Sequence, residues 1–309
     1  MTKYNRVYLG KKSIYADECF AGGFIGVDFG LDFDLAPHLC DNLRTFNAWF
    51  VPTLQERFPE KTRVSAGLNG GALWRICKEM TAGDIVLSPA ENDPLEYMVG
   101  TITGEYQFAQ GEFLPHRRTV SWSSQGLKRD AMSPDLRHSA GSIGTLSCLD
   151  KYAEELEALL DPVKPNPIRT SDPTIENPTV FAMESHLEDF LVKNWEGTSL
   201  GREFDIYTDE DGELAGQQLQ TDTGPLDILA VSKDKKKLLV VELKRGRASD
   251  HVAGQVLRYM GYVKDELAEP DQTIEGVIIG KEDDPKLQRA LSMMPNVRFM
   301  RYRVSFELE

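Results

Sequence analysis

Residues Thr221 to Arg247 read TDTGPLDILAVSKDKKKLLVVELKRGR, and the pattern decides the fold of the half of the chain that contains it. Two apolar runs, DILAV and LLVVEL, flank a lysine-rich turn. Short continuous apolar runs bounded by turn residues indicate strands covered on both faces. A hairpin turning at Asp234 and Lys235 sets Asp227 opposite Glu242, Leu229 opposite Val240 and Val231 opposite Leu238. Side chains two residues apart share a face, so Lys244 points the same way as Glu242. A charge in such a strand costs several kcal/mol unless it is paired, hydrated or bound to a metal. Like charges directly opposed across a hairpin are destabilising as well. A divalent cation would offset both penalties, because Mg²⁺ is held by one or two carboxylates together with water and phosphate oxygens. Lys244 would then orient a water or neutralise charge developing on a phosphate. The plainer alternative is a structural Asp–Lys or Glu–Lys pair at a sheet edge, and these residues alone leave both open.

The surrounding sequence gives the order of elements. FAMESHLEDFLVKNW reads as a helix and REFDIYT as a strand, followed by the two strands of the hairpin. DHVAGQVLRYMGYVKDELA is a long helix, TIEGVIIG a strand, DPKLQRALSMM a helix and VRFMRYRVSFEL a final strand. The expectation is an α/β domain, with an αβββαβ core extended by one helix and one strand, over residues 179–309.

Upstream, DPVKPNPIRTSDPTIENP (Asp161–Pro178) carries five prolines in 18 residues. Each removes a backbone donor and biases its predecessor away from helix, so the segment reads as a semi-rigid linker. Before it, residues 1–160 form a first domain of mixed α+β type. RVYLG, GGFIGVDFG, GDIVLSP, EYMVGTITGEYQF and RRTVSWS read as short strands. LAPHLCDNLRTFNAWFVPTLQERF, GGALWRICKEM and DKYAEELEALL read as helices. Many short strands between glycine and proline turns suggest a small curved barrel rather than a parallel sheet. GLNGG (Gly67–Gly71) lacks a following GK[ST] and is rejected as a nucleotide loop.

Whole-chain properties bound the function. At 309 residues there is room for two cores. No apolar run is long enough for a transmembrane helix, and MTKYNRVYLGKK has no signal-peptide centre. Cys19, Cys40, Cys77 and Cys148 form no CxxC, which argues against a zinc site and for a reducing, cytoplasmic setting. The net charge of −14 opposes general attraction to nucleic acid. Local attraction survives, because Lys233–Arg247 holds seven Lys or Arg against two acids, and His116–Arg129 holds four against none.

GQQLQTDTGPLDILAVSKDKKKLLVVELKRGRASDHVAGQVLRYMGYVKDELA resembles the nuclease domain of the EndoMS/NucS family, within the PD-(D/E)xK superfamily. The resemblance covers about Val180 to Leu308, and LDILAV, VVELKRGR and GQVLRYMGYV carry it in order and spacing. It implies a restriction-endonuclease-like fold and Mg²⁺- or Mn²⁺-dependent hydrolysis of DNA phosphodiesters. Asp227 and Glu242 would be metal ligands, Lys244 the ExK lysine and Gln255 the active-site glutamine of the following helix. Tyr259 lies one turn beyond Gln255. The first-helix acid would be Glu188, with Glu184 as the alternative, and Arg245, Arg247 and Tyr259 would meet the DNA backbone.

Residues 4–160 are similar, through ALWRICKEMTAGDIVLSPAENDPLEYMVGTITGEYQF, LPHRRTVSW and DLRHSAGSIGTLS, to PUA- or EVE-like domains of Mrr-type restriction proteins. That similarity implies a DNA-sensing domain. Phe24, Phe29, Trp74 and Trp122 would form a pocket for a flipped, modified base, with Arg117 and Arg118 near phosphates. The alternative for each aromatic is core packing. Together the two resemblances imply a DNA endonuclease in restriction or phage defence; double-strand cleavage would favour a homodimer, and the absence of a long apolar run leaves no membrane partner expected. The rival readings are a repair nuclease for mismatched, branched or single-stranded DNA, and a non-catalytic nucleic-acid-binding protein.

Overall fold

In the computed structural model the chain divides into two compact units, Met1–Arg169 and Thr170–Glu309. The structure describes residues 2–91, 95–160, 184–209 and 212–302; the side chains of 184–186 and 245 also lie outside the description. The expected linker Asp161–Pro178 falls outside the described residues.

The first unit is built on strands β1 (Tyr4–Val7), β2 (Phe24–Val27), β3 (Ile85–Pro89), β4 (Glu96–Phe108), β5 (His116–Trp122), β6 (Leu127–Lys128) and β7 (Leu146–Cys148). They pair in the order β2-β5-β4-β3-β1-β7, with β6 on β4. The path has two ends, so the sheet is a half-barrel rather than the closed barrel that the short strands suggest. It is also mixed, because β1 pairs parallel with β3, Tyr4 beside Ile85. A parallel neighbour needs a long crossover, and the helices supply it. These are α1 (Ala16–Gly22), α2 (Leu43–Arg57) and α3 (Arg63–Trp74). Two further helices, α4 (Pro134–Ala140) and α5 (Ala153–Leu160), follow the strands.

Asn42 and Thr62 cap α2 and α3, their side-chain oxygens accepting from Thr45 N and Ser65 N. GLNGG lies inside α3, as its rejection as a phosphate loop requires. A Cβ on Gly70 would stand 2.3 Å from Asn47 Oδ1 of α2, so this glycine permits the close helix contact. Phe46, Phe50, Val51 and Leu54 of α2 and Leu73 of α3 join Ile25, Val86, Ile102 and Val120 of the sheet in one core.

The second unit contains α6 (Glu184–Lys193), β8 (Phe204–Ile206), β9 (Gln217–Thr221), β10 (Gly224–Ser232), β11 (Lys237–Ala248), α7 (Asp250–Tyr262), β12 (Thr273–Asp283), α8 (Pro285–Leu291) and β13 (Val297–Arg301). Its sheet runs β13-β12-β11-β10-β8, with β9 continuing the β8 edge of β10. The β10–β11 pair is antiparallel and the β11–β12 and β12–β13 pairs parallel. The expected α/β order is present, with β9 as an added strand.

Alternating residues of β11 serve opposite faces. Leu239, Val241 and Leu243 join Ile228 and Ala230 in a core against Leu187, Leu191 and Val192 of α6. On the other face, β12 leaves room for α7: a Cβ on Gly276 would meet Met260 Sδ at 2.7 Å and Val256 Cγ1 at 2.8 Å. Gly276 is the register partner of Val240, so Val240, and by alternation Glu242 and Lys244, belong to the α7 face.

Candidate active site

The β10–β11 register pairs Ile228 with Val241, Leu229 with Val240 and Val231 with Leu238, the alignment expected from the sequence. One step further, Asp227 falls level with Glu242. There the hydrogen bonding changes: Leu243 N donates to Asp227 Oδ2 at 2.7 Å. The carboxylate takes a place that a carbonyl would fill in a continuing ladder, so β10 and β11 begin to part where the acids stand. Leu226, Ile228 and Val241 are all fully buried, which fixes both strands in this register.

Glu242 is only 1% exposed. Lys244 Nζ donates to Glu242 Oε1 at 2.9 Å from a half-buried position on the same face. A buried carboxylate beside one ammonium group is a pair whose desolvation is costly and whose separation costs more. Past Lys244 the β11–β12 register shifts before Arg247 meets Glu282. Arg247 is exposed beyond this irregularity, whereas the Arg245 side chain lies outside the described residues.

The remaining second-unit candidates are brought to the same strands by both helices. From α7, Tyr259 Oη donates to Pro225 O at 2.8 Å, and Gln255 Nε2 donates to Tyr259 Oη at 3.3 Å. Tyr259 is buried, and its hydroxyl anchors the start of β10 two residues before Asp227. Its ring is covered and its polar tip engaged with the fold. Gln255 remains half-buried beside it.

Glu188 of α6 is 3% exposed. Its Oε1 accepts from Gln217 Nε2 at 3.0 Å and its Oε2 from Gln218 Nε2 at 2.5 Å. Gln218 Nε2 also approaches Asp227 Oδ1 at 3.3 Å. The structure therefore joins Glu188 to Asp227 through Gln218, while the Glu184 side chain lies outside the described residues. Neither glutamine stands out in the sequence reading. The only signal is their place in GQQLQ, just before the apolar strand.

Among the described residues, no group of three or more His, Cys, Asp or Glu side chains is disposed to hold a metal ion. The donor chemistry still suits Mg²⁺ or Mn²⁺, which takes one or two carboxylates and keeps several waters. Asp227 and Glu242 supply hard oxygen donors on facing strands. Each Asp227 oxygen accepts one bond in the structure, and a carboxylate offers about four lone-pair sites in all. Asp227 and Glu242 are thus the residues that would hold the ion.

The first-unit candidates are placed differently. Arg118 is 2% exposed and donates to Ile76 O at 2.5 Å, Cys77 O at 2.9 Å and Gly104 O at 3.0 Å. Burial lowers its pKa from the ordinary guanidinium value. It fastens β5 to the helical segment after α3, with its guanidinium directed at backbone carbonyls. Arg117 lies over the Phe24 ring at 4.1 Å and donates to Leu114 O and Phe113 O at 3.0 and 2.6 Å. Its Nε and Nη2 are likewise engaged in the fold.

Phe24, Phe29, Trp74 and Trp122 all pack around the first core. Trp74 Nε1 donates to Cys40 O at 2.8 Å, and Trp122 Nε1 donates to Cys19 O at 3.2 Å with its ring edge-on to Phe20. The ring contacts among the described residues join none of the four to another. Phe24, Phe29, Trp74 and Trp122 are each partly buried against the first core, which is the packing alternative for these aromatics.

All four cysteines are free thiols, with Cys19 and Cys77 buried. No helix among the described residues is long and apolar enough to cross a membrane.

Comparison with known proteins adds the following. Residues 6–143 match the model of a family described as a domain of unknown function, DUF8426. No curated protein matches the chain. Among solved structures, a repair endonuclease from Pyrococcus abyssi is similar at 13% identity and a TM-score of 0.32, over 67% of this chain and 62% of that one. EndoMS in complex with double-stranded DNA is similar at 12% identity and a TM-score of 0.33, over 72% and 66% of the two chains. EndoMS in its apo form is similar at 13% identity and a TM-score of 0.30, over 72% and 65%. The chain spans a little under two thirds of the length of each of these structures.

Proposed function

We propose that this protein is a metal-dependent DNA endonuclease, with Asp227, Glu242 and Lys244 as its reactive group. The observation that supports the reading is the end of the β10–β11 ladder beside Asp227, where Leu243 N donates to the Asp227 carboxylate and Lys244 to that of Glu242 on otherwise apolar strands. A structural ion pair accounts for Glu242 and Lys244. It does not account for a second acid at the end of the same ladder, linked to the buried Glu188.

In this reading Asp227 and Glu242 hold a Mg²⁺ or Mn²⁺ ion, which when bound supplies an activated water and stabilises charge on the scissile phosphate. Lys244 turns its ammonium from Glu242 toward that phosphate or water. Gln255 orders the neighbouring polar groups through Tyr259, and Arg245 and Arg247 offer positive charge to the DNA backbone. DNA is the partner, and two copies acting together would cut both strands.

Between the two substrate roles, a repair-type nuclease for mismatched, branched or single-stranded DNA fits better than restriction with modified-base sensing. The residues offered for the sensing pocket are engaged in packing, and so are Arg117 and Arg118. The test is cleavage of plain, single-stranded, mismatched and base-modified DNA with Mg²⁺ or Mn²⁺, comparing wild type with Lys244→Ala. Loss of one donor that stabilises developing charge should lower the rate by about 10²–10³-fold. Equal cleavage by the variant, or none by wild type on any substrate, sinks the reading in favour of a binding module.

A further inference from the structure

Gln218 lies in β9 and combines a left-handed backbone with a polar side-chain contact. Its φ is 49°, in the left-handed region that residues other than glycine rarely adopt. Strain of this kind persists where the surroundings over-determine it and clusters at functional sites. Neighbouring residues of a regular strand point to opposite faces. Gln217 and Gln218 nevertheless both donate to the carboxylate of Glu188, and the positive φ between them makes this possible.

Gln218 is 7% exposed, and the β9–β10 register carries it level with Asp227, between the pairs Gln217–Ile228 and Leu219–Leu226. Its two close neighbours are carboxylate oxygens of Glu188 and Asp227. Ionised carboxylates only accept, so the amide must present its nitrogen, whose two hydrogens match the two acceptors. Asp227 is then held from both sides: Oδ1 by Gln218 on β9 and Oδ2 by Leu243 N on β11.

We propose that Gln218 is a positioning residue that couples the buried Glu188 to Asp227 and fixes the Asp227 carboxylate for a divalent cation. The inference rests on the metal-dependent reading above and extends it. Glu188 acts through the glutamine rather than on the ion, and the left-handed backbone at Gln218 is the device that aims the amide. Groups that orient a ligand in this way change metal affinity by about 10–100-fold when removed.

The test uses Gln218→Gly in the full chain. Glycine adopts positive φ without strain, so the variant keeps the backbone conformation and loses the side chain that carries the amide. Mn²⁺ binding is measured by calorimetry without DNA, beside wild type and Asp227→Ala. Binding should be weaker by about 10–100-fold in Gln218→Gly and absent in Asp227→Ala. Raising Mn²⁺ should restore cleavage to Gln218→Gly and not to Asp227→Ala, a rescue that a purely structural role would not show. Gln218→Met, similar in length and without a donor, should behave alike and serves if the glycine variant does not fold. Equal Mn²⁺ affinity in wild type and the folded Gln218 variant overturns the role of Gln218 and leaves the nuclease reading intact. No Mn²⁺ binding by wild type, or binding unaffected by Asp227→Ala, overturns both.

Discussion

Replacing Arg118 by methionine separates a structural arginine from a phosphate-binding one. The guanidinium is buried and donates to three carbonyls, those of Ile76 and Cys77 at the end of the helical segment after α3, and that of Gly104 in β4. Charge-assisted bonds of this kind contribute about 1.5–3 kcal/mol each, and a buried acceptor left without its donor costs about 1–3 kcal/mol. Methionine fills much of the stem volume and avoids burying a charge, which returns part of the loss. The ion pair to Glu105, at 3.6 Å, adds little because Glu105 is exposed. A net destabilisation of about 3–5 kcal/mol is expected, and at about 2–4 °C per kcal/mol for a unit the size of Met1–Arg169 its melting midpoint should fall by roughly 6–20 °C. Thermal melts followed by circular dichroism measure the shift, and fluorescence anisotropy with a labelled duplex measures DNA affinity. The expected outcome is a lower midpoint with DNA affinity preserved below it. A variant that melts with wild type yet loses salt-dependent DNA binding would refute the structural assignment and return Arg118 to the phosphate backbone.

Other perturbations test other parts of the fold. Gly216→Ala places a Cβ 2.3 Å from Leu229 O and 2.9 Å from Tyr207 N, both backbone atoms, so it should destabilise the second unit by about 1–3 kcal/mol in urea unfolding. His116 is buried between Tyr106 Oη and Leu31 O, and burial lowers its pKa. Below the ordinary histidine value near 6.5 the unfolded chain binds a proton that the folded state resists. Stability from this residue is therefore complete above that pH and lost as pH falls toward the depressed folded value. His116→Gln should reduce the drop in melting midpoint between pH 7.5 and 5.5, and an unchanged drop would contradict the assignment. Burial pushes the Cys19 thiol up to about 12 and the Cys77 thiol higher still. A thiol reagent at neutral pH should modify half-exposed Cys40 well before either, as peptide mass spectrometry would show.

Arg118 and Tyr259 stand in basic or active-site-like stretches, where arginine and tyrosine commonly meet phosphate. In the fold each is instead the polar tip of a covered side chain, used to tie one element to another across the interior. Arg6 belongs to the same class: it is fully buried and donates to Ala140 O and Gly144 O, with burial lowering its pKa to about 10. A buried guanidinium with backbone acceptors has the same one-letter code as an exposed one, and only the distant carbonyls distinguish them.

By itself the sequence determined the second unit's order of elements. A hairpin turning at Asp234 and Lys235 gives the register that the structure shows, Leu229 against Val240 and Val231 against Leu238, whereas runs covered on both faces leave a one-residue slip open to pattern alone. The sequence also set Glu242 and Lys244 on one face, because the period of a strand is two, and there the lysine pairs with the acid. What only the tertiary structure decided came from chain-distant partners. The parallel β1–β3 pair depends on the crossover through α1 to α3, the fate of Phe24, Trp74 and Trp122 on the core they cover, and the bridge from Glu188 to Asp227 on a left-handed Gln218. None of these leaves a periodic trace. Each depends on which buried polar group finds a partner after the chain has closed, and that is a property of the packed interior rather than of any stretch of residues.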